Sequence, residues 1–116
     1  MLRVLLAVAV LLAGPQGGSK PIAPEQAAQH VGEAVTVQGR VTGVTVSQKS
    51  HTTFITFGPA YPGQTFTAVI FESAQERFPN VKAVLGKTVL VHGTVRLYKQ
   101  KPEIILDSAE QLNVVV

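Results

Sequence analysis

The groups in this sequence that could do chemistry are few and widely spaced. His30, His51 and His92 lie on three different segments with no metal-ligand spacing, so no metal site is expected. Cysteine is absent, which removes a disulfide framework, a thiolate metal site and a cysteine nucleophile. There is no GxGxxG, no GxxxxGKS/T and no serine in a GxSxG elbow. Glu103 and Asp107 stand four apart on a strand-like stretch and share one face. A general acid/base pair would look like this, but so would a solvated sheet face, and nothing nearby would tune the two carboxyls. The sequence therefore predicts neither an enzyme nor a cofactor.

The remaining chemistry is that of binding. Single-stranded nucleic acid needs aromatic faces for base stacking and cations along the phosphate path. Phe54 and Tyr98 could stack, Arg40, Lys49, Arg96, Lys99 and Lys101 could follow the backbone, and His51 adds charge at low pH. Each has an ordinary alternative. Phe54 also fits the edge of a core, and Tyr98 could simply cover the end of one. Lys99 and Lys101 at a hairpin tip also serve to block edge pairing. Arg40 and Arg96 could instead pair across strands with Glu103 or Asp107. The charge balance alone does not argue for nucleic acid. Without Arg3 the ten Lys and Arg become nine, against seven Asp and Glu, and a dedicated duplex binder carries a stronger basic footprint.

The elements that must position these groups are mostly strands. In Gly86–Leu106, Val89, Val91, Val95 and Leu97 share one face at period two, with Gly93 in register. Leu90, His92, Thr94, Arg96 and Tyr98 occupy the other face. Lys99, Gln100 and Lys101 form a polar tip, and Pro102 opens the returning strand, where Ile104 and Leu106 face inward. Ala34–Ser47 reads as a long strand whose apolar parity changes between Val41 and Val44, which predicts a β-bulge at Thr42-Gly43. Thr52–Phe57 is the second strand and Thr65–Phe71 the third, with Phe66, Ala68 and Ile70 inside. A short helix over Glu72–Phe78 would turn Ala74 and Phe78 to the core. Ahead of the strands, Pro24–Val31 reads as a short helix with Ala27, Ala28 and Val31 as its apolar stripe, closed by Gly32. His30 at its end has a structural role.

With 116 residues one domain is expected. Residues 1–19 have the layout of a secretory signal: a basic start, an apolar run over Val4–Ala13 and a Gly/Pro/Ser break. The apolar run is too short for a comfortable membrane span. An uncleaved anchor is the alternative, and a lipoprotein anchor is excluded because no cysteine follows. Residues 20–33 form a leader with the short helix, and 34–116 the main domain. An exported protein, periplasmic or extracellular, is the resulting expectation.

The strand order, with a helix after the third, gives a mainly β fold: a five-stranded OB-fold Greek-key barrel, with short helices between strands 3 and 4 and at the N-terminus. The stretches Val35–Gly39, His51–Gly58, Phe66–Phe71, Gly86–Gly93 and Tyr98–Ile104 resemble the nucleic-acid-binding OB-fold domains of the tRNA-anticodon-binding-like superfamily, as found in small exported bacterial proteins. The resemblance covers roughly Ala34–Leu112. It implies binding across strands 2 and 3 and the two flanking loops, which here are Gln48–His51, Phe54 with Thr56, and Tyr98–Lys101. The reading is thus a non-enzymatic module for weak binding of single-stranded nucleic acid. The alternative is an envelope OB-fold with a structural or protein-interaction role, similar to exported OB-fold stress proteins, or one that binds a small glycan. An accessory domain of a larger nuclease or synthetase would read the same way.

Overall fold

A computed structural model describes residues 20–116; the signal-like segment lies outside the described residues. The strands are β1 (Ala34–Val46), β2 (Thr53–Phe57), β3 (Phe66–Ile70), β4 (Thr88–Thr94), β5 (Arg96–Tyr98), β6 (Lys101–Ile105) and β7 (Leu112–Val114). They form one sheet in the order β5-β6-β3-β2-β1-β4-β7. The expected count of five is corrected to seven for two reasons. The fourth expected strand is divided at Val95: β4 pairs with β1, and β5 pairs with β6. Since β4 and β5 follow one another directly, that bend brings the β5 end of the sheet round to β4, beside the other end, and closes a barrel. The last strand, β7, is an addition along β4. The β3–β6 pair is parallel, while the other strand pairs are antiparallel.

The parity change in β1 is a bulge. Val41 pairs with Phe57 and Gly43 with Thr56, leaving Thr42 as the extra residue. Before it, Ala34–Arg40 pair with β4; from Val41 onward the strand pairs with β2. The Thr42 hydroxyl hydrogen-bonds at the break, lying 3.1 Å from the Thr56 carbonyl and 2.8 Å from that of Gly58. Gly43 lets the strands close at the break: a Cβ there would stand 2.6 Å from Thr56 Oγ1, so that hydroxyl would have to move. One long strand thereby serves both halves of the barrel.

The core is the set that alternation predicts. Val37, Val41, Ile55, Phe57, Phe66, Ala68, Ile70, Val89, Val91, Val95, Ile104 and Leu106 are buried. Phe57 and Phe66 pack with ring centroids 5.3 Å apart at 52°. Gly93 lets β4 approach β6, since a Cβ there would meet Ile104 Cγ2 at 2.5 Å. Leu97 departs from its predicted burial and is 51% exposed. Beyond the Val95 bend the hairpin runs past the core, so continuing the alternation no longer means continuing inward.

The helical segments are all 3₁₀ among the described residues: Pro24–His30, Glu72–Arg77, Val81–Val84 and Ala109–Gln111. This changes the N-terminal stripe. With three residues per turn, Pro24, Ala27 and His30 share a face, and these three are the more protected positions. Ala28 and Val31, expected at α-helical spacing, are exposed. After β3, Ala74 and Phe78 are buried as expected. No helix among the described residues is long and apolar enough to cross a membrane.

Candidate functional site

A groove of about 340 Å³ crosses the outer face of β2, β3 and β6. Strand pairing builds its floor. Thr56 lies opposite Thr67, Thr67 beside Glu103, and Glu103 opposite Arg96. Directly paired residues share a face, so these four make one polar row across the sheet. Phe54, two residues from Thr56, adds an aromatic surface that is half-buried. Tyr61, from the β2–β3 loop, is 65% exposed and stands at the rim. Tyr98, 53% exposed, is contributed by the β5–β6 turn, together with Lys99 and Lys101.

The β5–β6 turn sets the basic edge. Tyr98 pairs with Lys101, which leaves Lys99 and Gln100 as a two-residue loop. Both have positive φ, 50° and 70°, as the twist of a tight hairpin demands. Neither residue favours that backbone, which ordinarily takes Asn or Gly. In this turn the Lys99 ammonium lies 5.4 Å from the Tyr98 ring centroid, a cation–π distance.

The electrostatics of the floor are mixed. Glu103 is buried, and the Arg96 guanidinium donates from Nε to its Oε2 at 2.7 Å. The bland reading of Glu103 as part of a solvated face is therefore corrected. Strands β3 and β5 flank it, and only a cation across the strand makes its burial tolerable. Arg96 is committed to that pair, which leaves Lys99 and Lys101 as the cations lining the groove. Two further floor atoms, Gln64 Oε1 and Thr67 Oγ1, are buried without a hydrogen-bond partner.

Of the residues singled out in the sequence, Phe54, Thr56, Tyr98, Lys99 and Lys101 line this groove, and Arg96 adjoins it through Glu103. Three do not come to it. Arg40 pairs with Thr88 on the β1–β4 side of the bulge. Lys49 stands exposed in the β1–β2 turn, outside the groove lining. His51 faces another way: its Nδ1 is 3.2 Å from Glu72 Oε2, and its carbonyl accepts from the Gln75 side chain. His30 contacts Glu33 at 2.9 Å and His92 contacts Thr36 at 2.8 Å, so the histidines are dispersed. Among the described residues no cluster of three or more His, Asp or Glu could hold a metal. Tyr61, Gln64 and Thr67 were not foreseen. Thr67 was recoverable, because its parity is opposite to that of Phe66, Ala68 and Ile70 and it lies opposite Thr56. Nothing local marks Gln64.

No protein family profile and no curated protein sequence matches the chain. Solved structures share its fold. Asparaginyl-tRNA synthetase from Pyrococcus horikoshii matches with a TM-score of 0.60 at 19% identity, over 83% of this chain and 23% of that one. Aspartyl-tRNA synthetase from Entamoeba histolytica matches at 0.59 and 18% identity, over 86% and 22%. OBody AM1L10, in its complex with hen egg-white lysozyme, matches at 0.59 and 16% identity, over 89% of this chain and 98% of that one. The chain thus spans under a quarter of the synthetases it matches. The likeness is one of fold, and the fold is an OB-fold barrel.

Proposed function

We propose that this protein is a non-enzymatic OB-fold module that binds single-stranded nucleic acid across the β2–β3 face. One observation carries the reading: a single groove gathers Phe54, Tyr61 and Tyr98 with Lys99 and Lys101. Aromatic faces accept any base by stacking, and two lysines at one edge attract the backbone without demanding sequence. With only two uncommitted cations lining the groove, binding is weak and electrostatically modest. The fold shared with tRNA synthetases supports this reading. We also place the protein outside the cytoplasm, on the signal-like layout of residues 1–19.

Fluorescence anisotropy with labelled single-stranded DNA and RNA tests the proposal. Saturable binding that weakens with salt is the expected result. Absence of binding at low salt would refute it. A second reading, a protein-interaction module, is favoured by the exposed Tyr61 and Tyr98 and by the lysozyme complex of a protein with this fold. Export also favours it, since free nucleic acid is an unusual envelope partner.

A further inference from the structure

Strand β7 stands at an open edge of the sheet, with β4 as its one neighbour among the described residues. The Val115 amide donates to the Thr88 carbonyl of β4 at 2.9 Å. Successive residues of a strand turn their backbone groups to opposite sides. Leu112, Val114 and, by the same alternation, Val116 therefore aim theirs at the open edge. The Leu112 amide is taken by the Ala109 carbonyl. The Leu112 carbonyl, both Val114 groups and the Val116 amide are left for another strand. The side chains point the same way. Leu112 and Val114 pair with the buried Val91 and Val89, so they lie on the core side. Val114 is nevertheless 46% exposed. Beside it an open shelf of about 420 Å³ includes Ala83 and Val84. Sheet edges are ordinarily blunted by charge, proline or a covering segment. The β5 edge is: Gly32 and Glu33 hydrogen-bond to Val95 there, and Lys99 stands at its tip. Leu112–Val116 (LNVVV) has neither charge nor proline.

We infer that β7 pairs antiparallel with β7 of a second copy, joining two barrels edge to edge. The inference goes beyond the nucleic-acid reading, and the edge shares no residue with the groove. The strand itself argues for this occupant. A twofold axis at Val114 sets the two Val114 residues opposite one another, where they exchange amide-to-carbonyl hydrogen bonds. Each Val116 amide then meets the Leu112 carbonyl of the other copy. Leu112 lies beside Val116 on the core side, and Asn113 beside Val115 on the outer side, so apolar meets apolar where burial is greatest. Charge selects the direction. Glu110 is exposed in the turn that precedes β7, and Lys87 is exposed on the shelf beside its far end. Antiparallel pairing carries Glu110 of each copy toward Lys87 of the other, whereas parallel pairing would set each beside its like. One short strand per copy falls below the roughly 1,200 Å² of a stable interface. The pair is therefore a weak, concentration-dependent dimer. It carries two grooves, and a nucleic-acid strand engaging both would be held more tightly than by either alone.

Sedimentation equilibrium of the full chain, over an about hundredfold range of concentration, measures the association. The average mass should rise from monomer toward dimer. Val114→Pro removes an outward donor that β4 does not use, at an edge position where proline is tolerated. Each dimer then loses both central hydrogen bonds, and association should weaken about tenfold or more. Glu110→Lys and Lys87→Glu should each weaken it several-fold. The double variant Glu110→Lys/Lys87→Glu restores opposite charges across the axis and should recover it. A monomer at every concentration overturns the inference. Association left unchanged by Val114→Pro and by both single charge reversals places the contact elsewhere and overturns it equally. Should Val114→Pro fail to fold, the charge variants decide: recovery in the double variant supports the β7 pairing, and no recovery overturns it.

Discussion

The paired substitution Lys99→Gln/Lys101→Gln isolates the electrostatic part of the proposed interface. Arg96 is held by Glu103 at 2.7 Å, and Arg40 and Lys49 do not line the groove, so two cations remain for phosphate contacts. Each neutralised phosphate on a single strand contributes a slope of about −0.7 in log affinity against log salt, so two contribute roughly −1.4. Between about 50 mM and 200 mM salt that is a loss of about sevenfold for the wild-type groove. The double variant should lose this dependence and bind more weakly at the lower salt. Arg40→Gln and Lys49→Gln should retain the wild-type slope. Tyr98→Ala provides the complementary test. Loss of one base-stacking contact costs about 1–3 kcal/mol, roughly 5- to 150-fold in affinity, at both salts and with the slope unchanged. Anisotropy titrations at the two salts read all four variants. An unchanged slope in the lysine variant, or a reduced slope in Arg40→Gln or Lys49→Gln, would refute the assignment of the phosphate path.

Three further expectations concern the scaffold that holds the groove. Gly93→Ala forces a Cβ to within 2.5 Å of the buried Ile104 Cγ2, and overpacking of this kind costs about 1–3 kcal/mol. Thermal denaturation should show the midpoint falling by roughly 4–8 °C for each kcal/mol. Gln100→Gly relieves a side chain at φ 70° and should stabilise the protein by about 1 kcal/mol in urea titration, with binding retained. Arg96→Met leaves the Glu103 carboxylate buried without its cation. Because Arg96 is half exposed, the loss should be about 2 kcal/mol, below that of a fully buried pair. Adding Glu103→Gln should recover part of it, and denaturant midpoints of the two single variants and the double variant measure that coupling.

Much of the barrel was legible because it is written in local alternation. The parity change around Thr42-Gly43 located the bulge, and the alternating valines of Val89–Val95 located the inner face of β4. The helical segments were less legible because α and 3₁₀ periods differ little over seven residues. Ala28 looked like a core position at one period and is exposed at the other. Leu97 was misread for a different reason, since alternation says which face a residue takes but not where the core ends. The site divides in the same way. Phe54, Thr56, Tyr98, Lys99 and Lys101 sit on elements whose type and order the sequence carries, and they meet in the groove. Its polar floor depends on the parallel β3–β6 pairing that sets Thr67 beside Glu103, a contact between distant segments that no local pattern announces. His51 was drawn away by Glu72, a partner from another segment.

The central claim is that single strands occupy the β2–β3–β6 face. An amide NMR titration with a short single strand tests it most directly, because it reports location as well as binding. Shifts concentrated at Phe54, Thr56, Gln64, Thr67 and Tyr98–Glu103 are predicted. Shifts concentrated instead at Gln38, Arg40 and Leu90 on the β1–β4 face, or no shifts at all, would contradict the account.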